Sequence, residues 1–186
     1  MKLERLRLTQ RQIDGDEPAY AAWELVLNYV HGSRKKDDTA LIRGLPRHWR
    51  AVYTTIALEG EVQNGGHHQF FWNGEGALND ETLEDLELIR AKPFVRLFRE
   101  ALEIYTTHDC SGEKRRSRNS HKAFTAGYRE KRMDHLDQAF YKSRKTVAEY
   151  LSSYIRNHRE LYAKMQSLPS PDSTTPRAGR RRPTRL

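Results

Sequence analysis

At 186 residues, the chain is long enough for one domain that buries roughly 70% of its unfolded surface, so neither disulfides nor a structural metal is required. The single cysteine, Cys110, excludes an internal disulfide framework and suits a reducing compartment, while the formal charge of +8 points toward polyanions as partners. No apolar run approaches the roughly 20 residues that span a bilayer, and the N-terminus lacks the apolar core of a signal peptide, so a cytoplasmic protein with no membrane contact is expected.

In chain order, Asp16 and Pro18 announce a first helix, with Trp23, Val26, Leu27 and Val30 on one face and Gly32 at its end. A second is expected from about Pro46, with Trp49, Val52, Tyr53 and Ile56 buried, ending at Gly65 and Gly66. Asn79 or Asp80 caps a third, whose Leu83, Leu86 and Ile89 point inward. Pro93 opens a fourth, with Phe94, Leu97, Phe98, Ala101 and Leu102 toward the core. Residues 106–132 show little periodicity. One last long helix is read over 136–165, with the stripe Phe140, Val147, Leu151, Tyr154, Ile155, His158, Leu161 and Tyr162. Residues 3–8 alternate as a short strand does, but one strand makes no sheet. The expectation is an all-α fold, a single irregular bundle of about five to seven helices over residues 1–166, followed by a disordered Pro/Ser/Arg tail over 167–186.

Charge is distributed unevenly along this outline. Residues 113–132 hold eight basic and two acidic residues, and 177–185 hold five arginines and no acid. No lysine or arginine occurs from 51 through 89, a stretch that carries eight acids. On the third helix Asp80, Glu81, Glu84, Asp85 and Glu87 fall at helical spacings, which makes them a candidate acidic contact face. Lys114, Arg115, Arg116, Arg118 and Lys122 form a candidate basic patch, with Phe124 and Tyr128 four residues apart as stacking platforms.

The most informative stretch is Glu59-Gly60-Glu61-Val62-Gln63-Asn64-Gly65-Gly66-His67-His68-Gln69-Phe70-Phe71-Trp72-Asn73. Asn64, Gly65 and Gly66 are strong turn chemistry, and three consecutive aromatics supply a large apolar area. Gln69 and Asn73 share a helical face, so the expectation is a polar network that braces the turn, with Glu59 as acceptor. His67, His68, Glu59 and His158 have the side chains of a metal site without its spacing, so no metal and no cofactor are expected.

This stretch resembles the signature of the bacterial DNA-mimic protein family, in its helical domain otherwise described as of unknown function. The matching positions are Glu59, Asn64, Gly65, Gly66, Gln69, Phe70, Phe71 and Asn73. A later element is similar at Leu136, Asp137, Phe140, Tyr141, Tyr154, Ile155 and His158, and the likeness covers roughly residues 45–162. His67 stands where the family carries phenylalanine. The family's mimicry of DNA implies an acidic surface, whereas this chain is basic overall, so only the 59–87 region is expected to supply one.

Three functions follow, in order. The first is a non-catalytic protein-interaction module, implied by the resemblance, that regulates a DNA-binding protein or pairs with a second copy of itself through the acidic and basic segments. The second is a nucleic-acid-associated protein that uses the 113–132 segment and the tail for weak, salt-sensitive binding. The third is an enzyme with a polar cleft at Glu59, His68, Gln69 and Asn73.

Overall fold

Several helix starts in this protein coincide with a proline or a capping box. The computed structural model describes residues 5–32, 38–74, 77–107, 131–164 and 166–167. Cys110, the basic residues Lys114, Arg115, Arg116, Arg118 and Lys122, the pair Phe124 and Tyr128, and the tail from Leu168 lie outside the described residues.

Strand β1 (Arg5–Leu6) leads into α1 (Gln10–Asp14), which opens on a capping box. The Thr9 hydroxyl accepts from the Gln12 backbone while the Gln12 side chain accepts from Thr9. Helix α2 (Pro18–His31) has proline in its first turn, as expected, although Glu17 and not Asp16 occupies the cap position. Short α3 (Asp38–Arg43) follows, then the long α4 (Arg47–Gly74), α5 (Asn79–Leu88) and α6 (Lys92–Thr107). The expected inward faces are found there: Leu86, Ile89, Phe94, Leu97, Phe98 and Ala101 are buried.

Two expectations about boundaries change. Helix α4 does not end at Gly65 and Gly66. It bends there and continues to Gly74, with non-helical backbone only at the two glycines. The single helix read over 136–165 is three: α7 (Asp134–Tyr141), α8 (Val147–Asn157) and α9 (Arg159–Ala163). Its apolar stripe runs on, but a second capping box, Thr146 with Glu149, starts α8 afresh.

The architecture is helical, as expected, with one small ladder. Strand β1 pairs antiparallel with β2 (Gln166–Ser167), Arg5 opposite Ser167 and Leu6 opposite Gln166. The lone N-terminal strand thus finds its partner at the far end of the described chain. Nearby, the Leu8 backbone N–H donates to the Tyr162 carbonyl at 2.9 Å and the Arg156 guanidinium donates to the Gly15 carbonyl at 2.7 Å. Helix α4 lies at the centre and packs against α2, α5, α7 and α8. Among the described residues, no helix is long and apolar enough to cross a membrane.

Candidate functional site

The bend in α4 follows from one residue. Gly66 has φ +73° and ψ 178°, a region open essentially to glycine alone. A Cβ built there would stand 2.2 Å from Oδ2 of Asp137. Gly65, at φ −162°, is extended backbone that any residue adopts. Asn64, Gly65 and Gly66 all tolerate positive φ. Only Gly66 needs it.

Breaking a helix strands backbone N–H groups at the start of the next segment. Here a distant carboxylate meets the one on His67. Oδ1 of Asp137, in the first turn of α7, accepts from the His67 backbone N–H at 2.9 Å and from its ring Nδ1 at 2.6 Å. The carboxylate accepts only, so Nδ1 carries a proton. His67 has no exposed surface, its ring stands edge-on to Phe140 at 5.7 Å, and Nε2 has no hydrogen-bond partner among the described residues.

Glu59 does the reciprocal work nearly two turns before the bend. Its Oε2 accepts from the Ala148 backbone N–H at 2.7 Å, in the first turn of α8, and its Oε1 accepts from the Gln63 amide at 3.2 Å. A carboxylate at a helix N-terminus satisfies an otherwise unpaired donor and faces the positive end of the helix dipole. Burial pushes the Glu59 carboxyl above the ordinary carboxylate range, the Ala148 N–H pulls it back, and Glu149 pushes it up again. Helix α4 therefore receives a cap from α7 and gives one to α8.

Gln69 and Asn73 share a face, as their spacing implies, but their acceptor is not Glu59. Both amides donate to Oε2 of Glu61 at 2.8 Å, stapling the two arms of α4 across the bend. Phe70 and Phe71 enter the core, against Phe98 at 5.5 and 5.8 Å, with Phe71 also stacked on Tyr105 at 4.4 Å. His68 and Trp72 meet at 6.0 Å on a half-buried face. Glu59 thus turns toward α8 while Gln69 and Asn73 turn toward Glu61, so the four residues proposed as one polar cleft are not brought together. A cavity of about 280 Å3 does open beside Asn73 and Phe70, bounded by α3, both arms of α4 and α5, and neither Glu59 nor His68 lines it.

The acidic row on α5 also differs from an exposed face. Asp85 is fully buried. Arg50 grips it through two hydrogen bonds of 2.9 and 2.8 Å, and the Thr54 hydroxyl donates to it at 2.9 Å. Burial pushes the Asp85 carboxyl up, while Arg50 and Thr54 pull it back. Arg50 is held well above its usual range, chiefly by its hydrogen bond to Asp85. Glu84 shares the same arginine at 2.9 Å, Glu81 pairs with Arg43, and Glu87 pairs with Arg99 at 2.8 Å. The cations that answer this acidic row therefore come from α3, α4 and α6. Asp80 stays exposed.

Residues 43–158 match the model of the DMP19-like protein family. The chain belongs to that family. The match takes in the bent α4, the acidic α5, the Asp137 cap on α7 and the whole of α8, and so both caps that α4 exchanges with its neighbours. No curated protein and no solved structure matches the chain. Among the described residues, no three His, Cys, Asp or Glu side chains are grouped so as to hold a metal ion.

Proposed function

We propose that this protein is a non-catalytic binding module of the DNA-mimic kind, whose partner is a DNA-binding protein met through the α5 face. The observation that carries this reading is how the polar residues of the signature are used. Glu59 and Asp137 spend their hydrogen bonds joining α4 to α8 and α7, and Gln69 and Asn73 join the two arms of α4 through Glu61; of these five only Glu61 and Asn73 reach the cavity beside α3 and α5. The family match supports the partner class. The α5 face supports it electrostatically, because five acids there meet three arginines and the surplus is negative. Glu84 and Glu87 keep about half of their side-chain surface exposed, at 56% and 51%. Complementary charge of this sort steers association and orients a basic partner.

The test is affinity capture from the native lysate, with nuclease-treated and untreated arms, using the wild type and Asp80→Asn/Glu84→Gln/Glu87→Gln. Asp85 stays untouched because its charge is buried against Arg50. A DNA-binding protein retained in both arms, displaced by duplex DNA and lost from the triple variant is the expected result. Capture that vanishes with nuclease, or that the triple variant retains in full, would sink the reading.

A further inference from the structure

Four of the five acids on the α5 face pair with an arginine, whereas two carboxylates next to that face form no ion pair among the described residues. Asp38, at the start of α3, and Glu61, on the first arm of α4, both line the cavity of about 280 Å3, and no described lysine or arginine lines it with them. They act on a common space. The Tyr53 hydroxyl, which also lines it, is pushed up by burial first and then by Asp38 and Glu61.

Glu61 is held in a manner that suits a ligand. Its Oε2 takes the Gln69 and Asn73 amides, both at 2.8 Å. Neutral donors fix a carboxylate's orientation without cancelling its charge. No described residue donates to its Oε1. Ile42, Ala57 and Phe70 give the cavity apolar wall beside the two charges. The volume falls just under the range of roughly 300–1,000 Å3 that takes drug-sized ligands, so a side chain or a small amine fits and a nucleotide does not.

We propose that this cavity is a binding site for a guanidinium group on a short aliphatic stem, with Asp38 and Glu61 as its two counter-ions. A guanidinium offers five N–H donors in a planar fork, enough to meet both carboxylates and the Asn73 amide oxygen together, whereas an ammonium is a single point charge. The apolar wall takes the stem. The same chemistry has two sources, a free small guanidine or an arginine of a bound protein. The second source rests on the binding-module reading and the first does not.

The experiment is calorimetric titration of the full chain with agmatine and with an acetylated, amidated Gly-Arg-Gly peptide, using the citrulline peptide as the neutral control. Saturable binding of the guanidinium probes is expected, with none by the citrulline peptide. Glu61→Gln and Asp38→Asn should each weaken it by about tenfold or more, the scale of removing one partner of a close charge pair. Ala57→Leu, which fills the wall, should weaken it similarly, and Glu103→Gln, remote on α6, should not. Thermal unfolding of each variant separates lost binding from lost fold. Tighter binding of the peptide assigns the site to a partner's arginine, and equal or tighter binding of agmatine assigns it to a free ligand. Failure of both probes to saturate, or equal affinity in the wild type, Glu61→Gln, Asp38→Asn and Ala57→Leu, overturns the proposal. The titration needs no partner, so it and the capture experiment fail independently.

Discussion

Gly66, His67 and Asp137 form one mechanical unit, and their substitutions should behave unequally. Gly66→Ala places a methyl 2.2 Å from Asp137 at φ +73°, and the backbone strain alone costs about 1–3 kcal/mol. Gly65→Ala should cost less, since its methyl meets only the Gln69 side chain. Asp137→Ala orphans two donors of His67, at about 1–3 kcal/mol for each buried group. His67→Phe, by contrast, should fall within about 1.5 kcal/mol of wild type, because it keeps the edge-on contact with Phe140 and removes the unpaired Nε2. Urea denaturation ranks the four, and His67→Phe as damaging as Asp137→Ala would show that the ring nitrogen carries the brace. Glu59 gives a pH-dependent counterpart. Its folded carboxyl lies above the ordinary range because of burial, so its contribution to stability is complete below the unfolded value and is lost as pH rises through the folded one. Glu59→Gln keeps an acceptor for Ala148 and does not titrate. Its stability relative to wild type should therefore climb between about pH 4 and neutrality, and a flat or falling difference in unfolding midpoints would contradict this. The signature was legible in the sequence as turn chemistry beside polar residues. Its wiring was not, because Glu59 and His67 find their partners 89 and 70 residues away.

Among the elements, legibility follows the range of the interactions that define them. Prolines and apolar spacing mark α2, the start of α4, and α6, because caps and faces are set within a few residues. Apolar periodicity runs across 136–165 without a break. The stop there is written in the Thr146–Glu149 capping box, as Thr9–Gln12 writes the start of α1. Helical spacing likewise groups the α5 acids but cannot tell which of them is buried, since that depends on Arg50, 35 residues before Asp85. This pairing makes Arg50 the most consequential cation of the described residues. Arg50→Ala leaves a fully buried carboxylate without its counter-ion, a change that costs about 3–5 kcal/mol. Arg99→Ala breaks an ion pair whose two side chains are 61% and 51% exposed, and pairs of that kind contribute about 0–1 kcal/mol. Arg50→Met with Asp85→Leu should recover most of the loss, because no charge is then left buried. Denaturant midpoints decide this, and an Arg50→Ala variant no weaker than Arg99→Ala would remove the case for Arg50 as the anchor of α5.

Across the whole molecule, a net charge of +8 conceals opposed parts. Acids concentrate over residues 51–89, while 113–132 and 177–185 carry the basic excess. On charge alone, a duplex approaching this chain is expected to be repelled by the α5 face and attracted by the two basic segments. Binding of that kind consists almost wholly of counterion release, and each phosphate neutralised contributes about 0.9 to the slope of log affinity against log salt. Generic duplex DNA should be retarded by the full chain at low salt and released steeply as salt rises. Truncation after Ser167 should flatten the slope by removing five arginines, and the cut belongs there because Gln166 and Ser167 hold the ladder to β1. Reversing Lys114, Arg115, Arg116 and Arg118 to glutamate in the truncated chain should abolish the remaining retardation. The Asp80→Asn/Glu84→Gln/Glu87→Gln variant should move the other way and bind the duplex more tightly, because it removes repulsion without adding a contact. That opposite sign separates the two faces: a protein that met DNA and its partner through one surface would lose both in the same variant. Fluorescence anisotropy across a salt series reads all four chains, and a slope unaffected by truncation and reversal would mean that cations outside these two basic segments meet the phosphates.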